Sequence, residues 1–268
     1  MSKKRVLIVT QEMEPYTDPS AIAEISRKLP QYIQEKGMEI RVLMPRFGVI
    51  NERRHRLHEV VRLSGMNIIV DDDDFPLIIK VASLQEARMQ VYFLDNDDFF
   101  RRKSTFENED GTPFEDNPDR MVFFCKGVIE TVKKFGWAPD IIHCHGWMTS
   151  LIPLYLRTAY KTEPLFQNSK VVYSIYDSPF ENMYSDKFLS KASINNLTPN
   201  DLASYQDGSG VSLHKGAIAY SDAVIIGSAS VDAEKYPTDK PMLNFQEEDY
   251  LSAYLEFYNT LLPEEESK

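Results

Sequence analysis

Apolar residues along this chain follow two alternating patterns, one typical of buried strands and one typical of helices. Continuous apolar runs of roughly four to eight residues indicate strands buried on both faces, and the first of them, RVLIVT, spans residues 5–10. Apolar residues then recur every three or four positions from Ile22 to Ile33, which favours a helix over 19–36. Further strands are predicted at 40–45, 140–145, 170–177 and 223–230, and further helices at 119–135, 148–160, 210–221 and 249–262.

The order of these elements predicts the fold class. Residues 59–95 read as short strands broken by turns, with an acidic run, Asp71–Asp74, at one of the turns. Elsewhere strands alternate with helices, which requires parallel strands joined by crossover helices. We therefore predict an α/β fold built on a single Rossmann-like, doubly wound parallel sheet. Ligands of such a sheet bind at the carboxyl ends of its strands, where four segments should converge: Thr10–Ala21, His143–Met148, Tyr176–Phe180 and Gly227–Ser230.

Composition and charge narrow the range of partners. The formal net charge of -11 disfavours nucleic acid and anionic membranes, because both attract basic surfaces. No stretch of the 268 residues approaches the roughly 20 apolar residues that span a bilayer, and the first residues resemble no cleavable signal. We therefore predict a cytoplasmic protein with no membrane partner. Cys125 and Cys144 are far apart in apolar runs, so we expect two buried free thiols.

Two histidines lie at the end of the strand predicted at 140–145. His143 and His145 are two residues apart, so their side chains point to the same face of the sheet. A catalytic metal site needs a third ligand, and the neighbouring sequence supplies none. We therefore favour one histidine that is hydrogen-bonded in the core and one that lines a pocket, and we predict neither a metal nor a cofactor.

Five segments of the chain carry a resemblance to a known family. Residues 12–50, 91–100, 113–156, 170–185 and 211–230 resemble, in order and spacing, the N-terminal domain of bacterial glycogen (starch) synthases, glycosyltransferase family 5. The resemblance implies the GT-B fold, in which two Rossmann-like domains face a cleft. It also implies transfer of glucose from ADP-glucose to an α-1,4-glucan with retention of configuration.

The sequence departs from that family at its phosphate-binding loop. Where the family has Lys-Thr-Gly-Gly-Leu, this chain has Asp18-Pro19-Ser20-Ala21-Ile22, so an anion replaces a cation. Opposite charges about 4 Å apart gain ~1 kcal/mol in water and ~4 kcal/mol near a protein surface, and here the attraction becomes repulsion of a diphosphate. We interpret Asp18 as the N-cap of the following helix, with Pro19 at its first position.

The histidine segment departs as well. The family's His-Ala-His-Asp-Trp-His stretch is replaced here by residues 143–148, with Gly146 in place of the acid and Met148 in place of the last histidine. Tyr176 aligns with a further pocket histidine of the family, next to Asp177. By this resemblance we expect substrate contacts, without catalytic residues, from Asp18, Ser20, His143, His145, Trp147, Tyr176 and Asp177.

The predicted domains are a synthase N-terminal-like domain over 1–246, a C-terminal helix over 247–262 and an acidic tail over 263–268. The second Rossmann-like domain of the family is not in this sequence. The C-terminal helix resembles the family's last helix, which crosses back onto the first domain. Its Tyr250, Tyr254, Phe257 and Leu261 share one face, as a docked helix requires.

Two classes of function remain open. The first is a non-catalytic domain of α-glucan metabolism that binds a maltooligosaccharide, glycogen or an enzyme of glycogen metabolism. The second is an active glucosyltransferase, using ADP-glucose and completed by another chain. Matching polar residues favour the second class: Glu12, Asp116, Asn117, Arg120 and Lys215. The altered loop and the replaced histidine favour the first.

Overall fold

A twisted sheet of mainly parallel strands forms the centre of the computed structural model, which describes residues 3–84, 87–177, 188–194, 197–206 and 209–262. The strands are β1 Arg5–Thr10, β2 Glu39–Pro45, β3 His58–Glu59, β4 Met66–Val70, β5 Asp73–Leu84, β6 Met89–Asp95, β7 Ile141–His145, β8 Lys170–Ile175, β9 Ala223–Ile226 and β10 Met242–Leu243. The helices are α1 Ala21–Glu35, α2 Glu52–His55, α3 Asp97–Phe100, α4 Asn117–Phe135, α5 Leu151–Arg157, α6 Phe188–Ala192, α7 Gly210–Tyr220 and α8 Tyr250–Leu261.

The strand order confirms the predicted α/β fold. Among the described strands the order is β10-β9-β8-β7-β1-β2-β6-β5-β3, with β4 paired to β5 outside this path. β1 has parallel neighbours on both sides, β2 and β7. The chain leaves β1 toward β2 and returns on its other side at β7, so the gap between β1 and β7 is the topological switch point where ligands of such sheets bind.

One edge of the sheet differs from the prediction. β5 is a single strand of 12 residues, not a series of short ones, and it pairs antiparallel with β3, β4 and β6. The acidic run is divided, with Asp71 and Asp72 in the turn and Asp73 and Asp74 already in β5. The charges are tolerated in a strand because their side chains are exposed at this edge.

The start of α1 also differs from the prediction. Ser20 is the N-cap, since its backbone is extended and its hydroxyl accepts a hydrogen bond from the Ala23 amide at 3.0 Å. The interpretation of Asp18 as N-cap is wrong, because the helix begins at Ala21, beyond the reach of the Asp18 carboxylate. The predicted helix at 148–160 is a 3-10 turn, Trp147–Thr149, followed by the shorter α5.

Both cysteines are buried free thiols, as predicted. The Cys125 thiol donates to the carbonyl of Met148 at 3.2 Å, and burial raises the pKa of both thiols. Among the described residues, no helix combines the length and apolar character needed to cross a bilayer. The cytoplasmic location stays a prediction.

Helix α8 packs on the same domain, against α1 and the apolar core. Tyr254 and Tyr258 are buried, and Tyr250, Phe257 and Leu261 are half-buried against the core. The docked C-terminal helix is thus confirmed, with Tyr258 added to the face that the spacing predicted. Its origin as a crossover helix from a second domain stays a prediction.

Removing α8 should destabilise the domain strongly, because it exposes apolar surface and removes a buried hydroxyl partner of the sheet. We expect a chain ending at residue 249 to melt at least ~10 °C below a chain ending at residue 262, since about 1 kcal/mol shifts a domain of this size by ~2–4 °C. The chain ending at 262 is the matched control for removing the acidic tail. Equal melting temperatures in calorimetry would show that α8 does not stabilise the domain.

Candidate functional site

At the switch point between β1 and β7, the side chain of Gln11 packs against Gly146 and fills the space there. Gly146 follows β7 with φ +84°, and a Cβ atom added there would lie 2.4 Å from Oε1 of Gln11. The same Oε1 accepts a hydrogen bond from the Met148 amide at 3.1 Å. The position that carries an acid in the resembling family is therefore filled here by the Gln11 side chain.

Beneath this contact, the two histidines of β7 form a buried hydrogen-bonded cluster with hydroxyl groups from β8 and α8. The His143 ring pairs through Nδ1 with the Tyr258 hydroxyl and through Nε2 with Ser174 Oγ, the latter at 2.7 Å. His145 Nδ1 pairs with the Tyr176 hydroxyl at 2.9 Å. The two imidazoles lie against each other with ring centroids 3.8 Å apart. We call these five residues the histidine cluster.

Burial keeps both imidazoles neutral. It lowers the pKa of His145 to about 3, and burial together with the neighbouring His145 holds the pKa of His143 well below its ordinary value. No third histidine, cysteine or acidic side chain joins them to form a metal-binding group in the described ranges. Nε2 of His145 has no hydrogen-bond partner among the described residues.

The structure differs from the expectation that this segment lines an open pocket. His143 and His145 are 0% exposed, Trp147 is 2% exposed and Tyr176 is 4% exposed. Trp147 packs edge-on against Phe106, with ring centroids 5.2 Å apart, so it is a packing residue of the core. Substrate contact by these four side chains stays a prediction.

Tyr176 also packs against the segment that follows β9. A Cβ atom at Gly227 would lie 2.4 Å from the Tyr176 ring, so the tyrosine fills the space above that glycine. The ring is therefore enclosed between the histidine cluster and the end of β9. Burial raises the pKa of the Tyr176 hydroxyl well above its ordinary value, which keeps it neutral.

Three predicted site residues remain accessible: Asp18 and Asp177 are exposed and Ser20 is partly exposed. The Ser20 hydroxyl donates to Oε2 of Glu12 at 2.8 Å. Burial raises the pKa of Glu12, the hydrogen bond from Ser20 lowers it, and the charge of Asp18 raises it further. Residues 178–180 of the predicted third segment lie outside the described residues.

An acidic crevice opens between the start of α1, the end of β9 and the segment that leads into α8. Its cavity has a volume of about 260 Å³, and its functional side chains are Glu24, Phe245, Glu247 and Tyr250. Phe245 is 41% exposed. Glu24 is paired with Lys28 on the next turn of α1 and accepts a bond from the Tyr250 hydroxyl at 3.5 Å. No lysine or arginine is among the described lining residues.

Sequence reasoning located part of this crevice and missed the rest. The predicted segments 10–21 and 227–230 both contribute to its lining. Phe245 and Glu247 were missed because they lie in an irregular stretch, where no periodic pattern marks a side chain as part of a wall. Tyr258 of the histidine cluster had a detectable signal, because it continues the four-residue spacing of Tyr250 and Tyr254.

The polar residues that match the family's motifs largely stabilise the fold. Asn117 donates to the Phe106 carbonyl at 2.8 Å, and Nε of Arg120 donates to the Phe99 carbonyl at 2.8 Å, both fully buried. Asp116 pairs with Arg102. Lys215 is exposed on α7. These contacts give Asp116, Asn117 and Arg120 a structural role, whereas exposed Lys215 has none among the described residues.

The fold is that of one half of the GT-B glycosyltransferases. The catalytic domain of starch synthase IV from Arabidopsis thaliana, solved with ADP and acarbose bound, superposes with a TM-score of 0.68 at 20% identity, over 84% of this chain and 45% of that chain. The chain belongs to the starch synthase catalytic domain family, whose model matches residues 5–236.

Its relatives include glycogen synthases of Pelodictyon phaeoclathratiforme and Chlorobaculum tepidum. The glycogen synthase of Pelodictyon phaeoclathratiforme is 37% identical over 75% of this chain and 40% of the relative. That of Chlorobaculum tepidum is 35% identical over 90% of this chain and 49% of the relative. The chain therefore spans less than half the length of these two relatives.

Lowering the pH should destabilise the folded protein already above the pH range in which most carboxylates become protonated. The ordinary histidine pKa is 6.5, and burial lowers it to about 3 at His145 and to about 4 at His214. Between these limits the unfolded chain binds protons that the folded chain does not, so stability falls as pH falls. At pH 5 we expect a loss of roughly 2 kcal/mol from each of these two histidines relative to neutral pH.

Urea unfolding at pH 7, 6 and 5 measures this loss. The variant His58→Gln is the matched control, since this histidine is exposed and the acid loss of the variant should equal that of the unmodified chain. A free energy of unfolding that is unchanged from pH 7 to pH 5 would contradict the neutral histidine cluster.

Proposed function

We propose that this chain is a glucan-binding member of the starch synthase family that does not itself transfer glucose. The observation that carries the proposal is the composition of the acidic crevice. It offers aromatic side chains and carboxylates, with no cation among its described lining residues, at the carboxyl-end side of a sheet whose switch point is closed.

The crevice suits a neutral sugar. The ring of Phe245 is 41% exposed and supplies an apolar surface for the face of a pyranose. The carboxylates of Glu24 and Glu247 accept hydrogen bonds from sugar hydroxyls, and the Tyr250 hydroxyl can donate or accept. A cavity of about 260 Å³ provides room for one glucose unit, with the rest of a maltooligosaccharide continuing outward.

The same chemistry disfavours a sugar nucleotide. Glu24 and Glu247 line the crevice, and Asp18 is exposed in the loop where the resembling family has its phosphate-binding lysine. Glu24 is offset by its pair with Lys28, whereas Glu247 and Asp18 each repel a diphosphate by an amount on the order of 1 kcal/mol at an exposed position. Tyr176, which replaces a pocket histidine of that family, is buried against Gly227 and offers no dipole to a leaving phosphate.

Two other possibilities keep specific support. The relatives are glycogen synthases, so a second chain that completes an ADP-glucose-dependent transferase remains the alternative function. Partner binding to an enzyme of glycogen metabolism would use the same face of the domain. The first differs from the proposal in that a second chain would restore glucose transfer, and the second in that the ligand would be a protein.

Maltoheptaose should bind the isolated chain weakly, and Phe245→Ala should weaken that binding by ~tenfold, because the aromatic surface is lost. The affinity should change little between 50 mM and 500 mM salt, since no net charge of the ligand is engaged. Isothermal titration calorimetry measures both effects. Val61→Ala, a change at a side chain that is 78% exposed and outside the crevice, is the matched control. Absence of any glucan binding would contradict the proposal.

ADP-glucose should bind with a dissociation constant in the millimolar range or weaker, which corresponds to about 4 kcal/mol or less. Asp18→Lys should tighten it by about fivefold, since repulsion of the diphosphate becomes attraction. NMR titration of the unmodified chain and the variant gives the comparison. Asp72→Lys makes the same charge change in the exposed turn before β5 and should have no effect. Micromolar binding by the unmodified chain would favour the transferase instead.

A further inference from the structure

A second and larger cavity lies away from the acidic crevice, and the two share no described lining residue. It is bounded by the loop after β1, by α1, by the α2–β3 segment and by the end of β5, and it has a volume of about 790 Å³. Five basic side chains line it: Arg27, Arg54, His55, Arg56 and His58. We call it the basic pocket.

The charge of this pocket runs against that of the whole chain. The net charge of the protein is -11, yet the described lining contains three arginines and only one carboxylate, Glu14. The excess of positive charge is therefore local to this cavity, and most of the acidic residues that give the chain its net negative charge lie elsewhere. A cavity that concentrates charge of one sign attracts small ligands of the opposite sign.

The two arginines from the α2–β3 segment have no ion-pair partner. No carboxylate pairs with Arg54 or Arg56 among the described residues. Some arginines elsewhere do pair with carboxylates, as Arg102 does with Asp116 and Arg157 does with Asp222. The guanidinium groups of Arg54 and Arg56 are therefore available to an anion from outside the chain.

Local structure holds these side chains at the same cavity. Arg54 lies in α2, and Arg56 ends that helix in the left-handed conformation, with φ +54°, so the chain turns and both side chains reach the lining. Between them, His55 packs edge-on against the buried ring of Tyr16, with ring centroids 4.9 Å apart. This contact fixes the wall that carries the two arginines.

We propose that the basic pocket binds a phosphate monoester of a small organic molecule. Guanidinium groups match the geometry of phosphate oxygens, and more than one of them is needed to balance a dianion. The volume of about 790 Å³ exceeds what a bare phosphate fills, so the organic body occupies the remaining space beside Tyr16 and His55. The proposal is independent of glucan binding, because it uses a different cavity and the opposite charge.

The organic body can come from two sources, a sugar or a nucleoside, and titrations with glucose 1-phosphate and adenosine 5′-monophosphate distinguish them. Inorganic phosphate and neutral glucose are run in parallel. Binding is followed by calorimetry and by the ring-proton NMR signals of His55 and His58. The chain has 5 histidines, and the other three are buried, so their signals should stay in place.

The decisive comparison is between variants of Arg54 and Arg56, which line the pocket, and a variant of Arg53, which does not. Arg54→Gln/Arg56→Gln should weaken the better phosphate monoester by at least ~tenfold, through lost charge-assisted hydrogen bonds. Arg53→Gln removes a cation from α2 that is exposed and does not line the pocket, and it should leave the affinity within about twofold. Thermal melts of all three proteins should coincide, since the substituted side chains are exposed.

Every possible result of these titrations either supports or overturns the proposal. Binding of one phosphate monoester more tightly than inorganic phosphate and glucose, with loss in the double variant alone, supports the proposal. It is overturned if no phosphate compound binds, if Arg53→Gln weakens binding as much as the double variant, or if inorganic phosphate binds as tightly as both monoesters. Succinate binding as tightly as the monoesters would assign the pocket to carboxylates and also overturn it.

Discussion

The arrangement of this domain depends on the hydrogen bonds of two histidines in the middle of a parallel sheet. His143 and His145 face the side of the sheet that α8 covers, and both are fully buried. A buried imidazole nitrogen without a partner costs about 1–3 kcal/mol. Both ring nitrogens of His143 have hydroxyl partners, Ser174 from β8 and Tyr258 from α8, whereas His145 is bonded through Nδ1 to Tyr176 and its Nε2 has no partner among the described residues. The hydrogen bond between His143 and Tyr258 therefore ties the last helix to the sheet.

Two side chains fill the space at the carboxyl ends of the strands, and the acidic crevice lies beside them. Gln11 fills the space above Gly146, and Tyr176 fills the space above Gly227. The space above these two glycines is thus taken by the chain's own side chains. The acidic crevice lies to one side of them, where α8 and its preceding segment form a wall.

The fold could be read from the sequence because buried parallel strands and amphipathic helices leave periodic signals. The strands at 5–10 and 140–145 and the helices at 119–135 and 249–262 were located to within two residues. The antiparallel edge was not, since β5 carries charges on an exposed strand that resemble a turn. The start of α1 was predicted two residues before Ala21, because two side chains that can cap a helix, Asp18 and Ser20, lie within three positions of each other. The geometry of the site was harder to predict, because no periodic pattern indicates whether His143 faces solvent or packs against a helix from the far end of the chain.

The contact between Gln11 and Gly146 restricts which residues these two positions can accept. An acid at position 146 would place its Cβ atom against Gln11 and adopt a backbone with φ +84°, a conformation that costs a non-glycine residue roughly 1 kcal/mol or more. A small residue at position 11 would leave the Met148 amide without its acceptor. Replacing both residues removes the clash but keeps the other two costs, so substitution of either residue is unfavourable with or without the other.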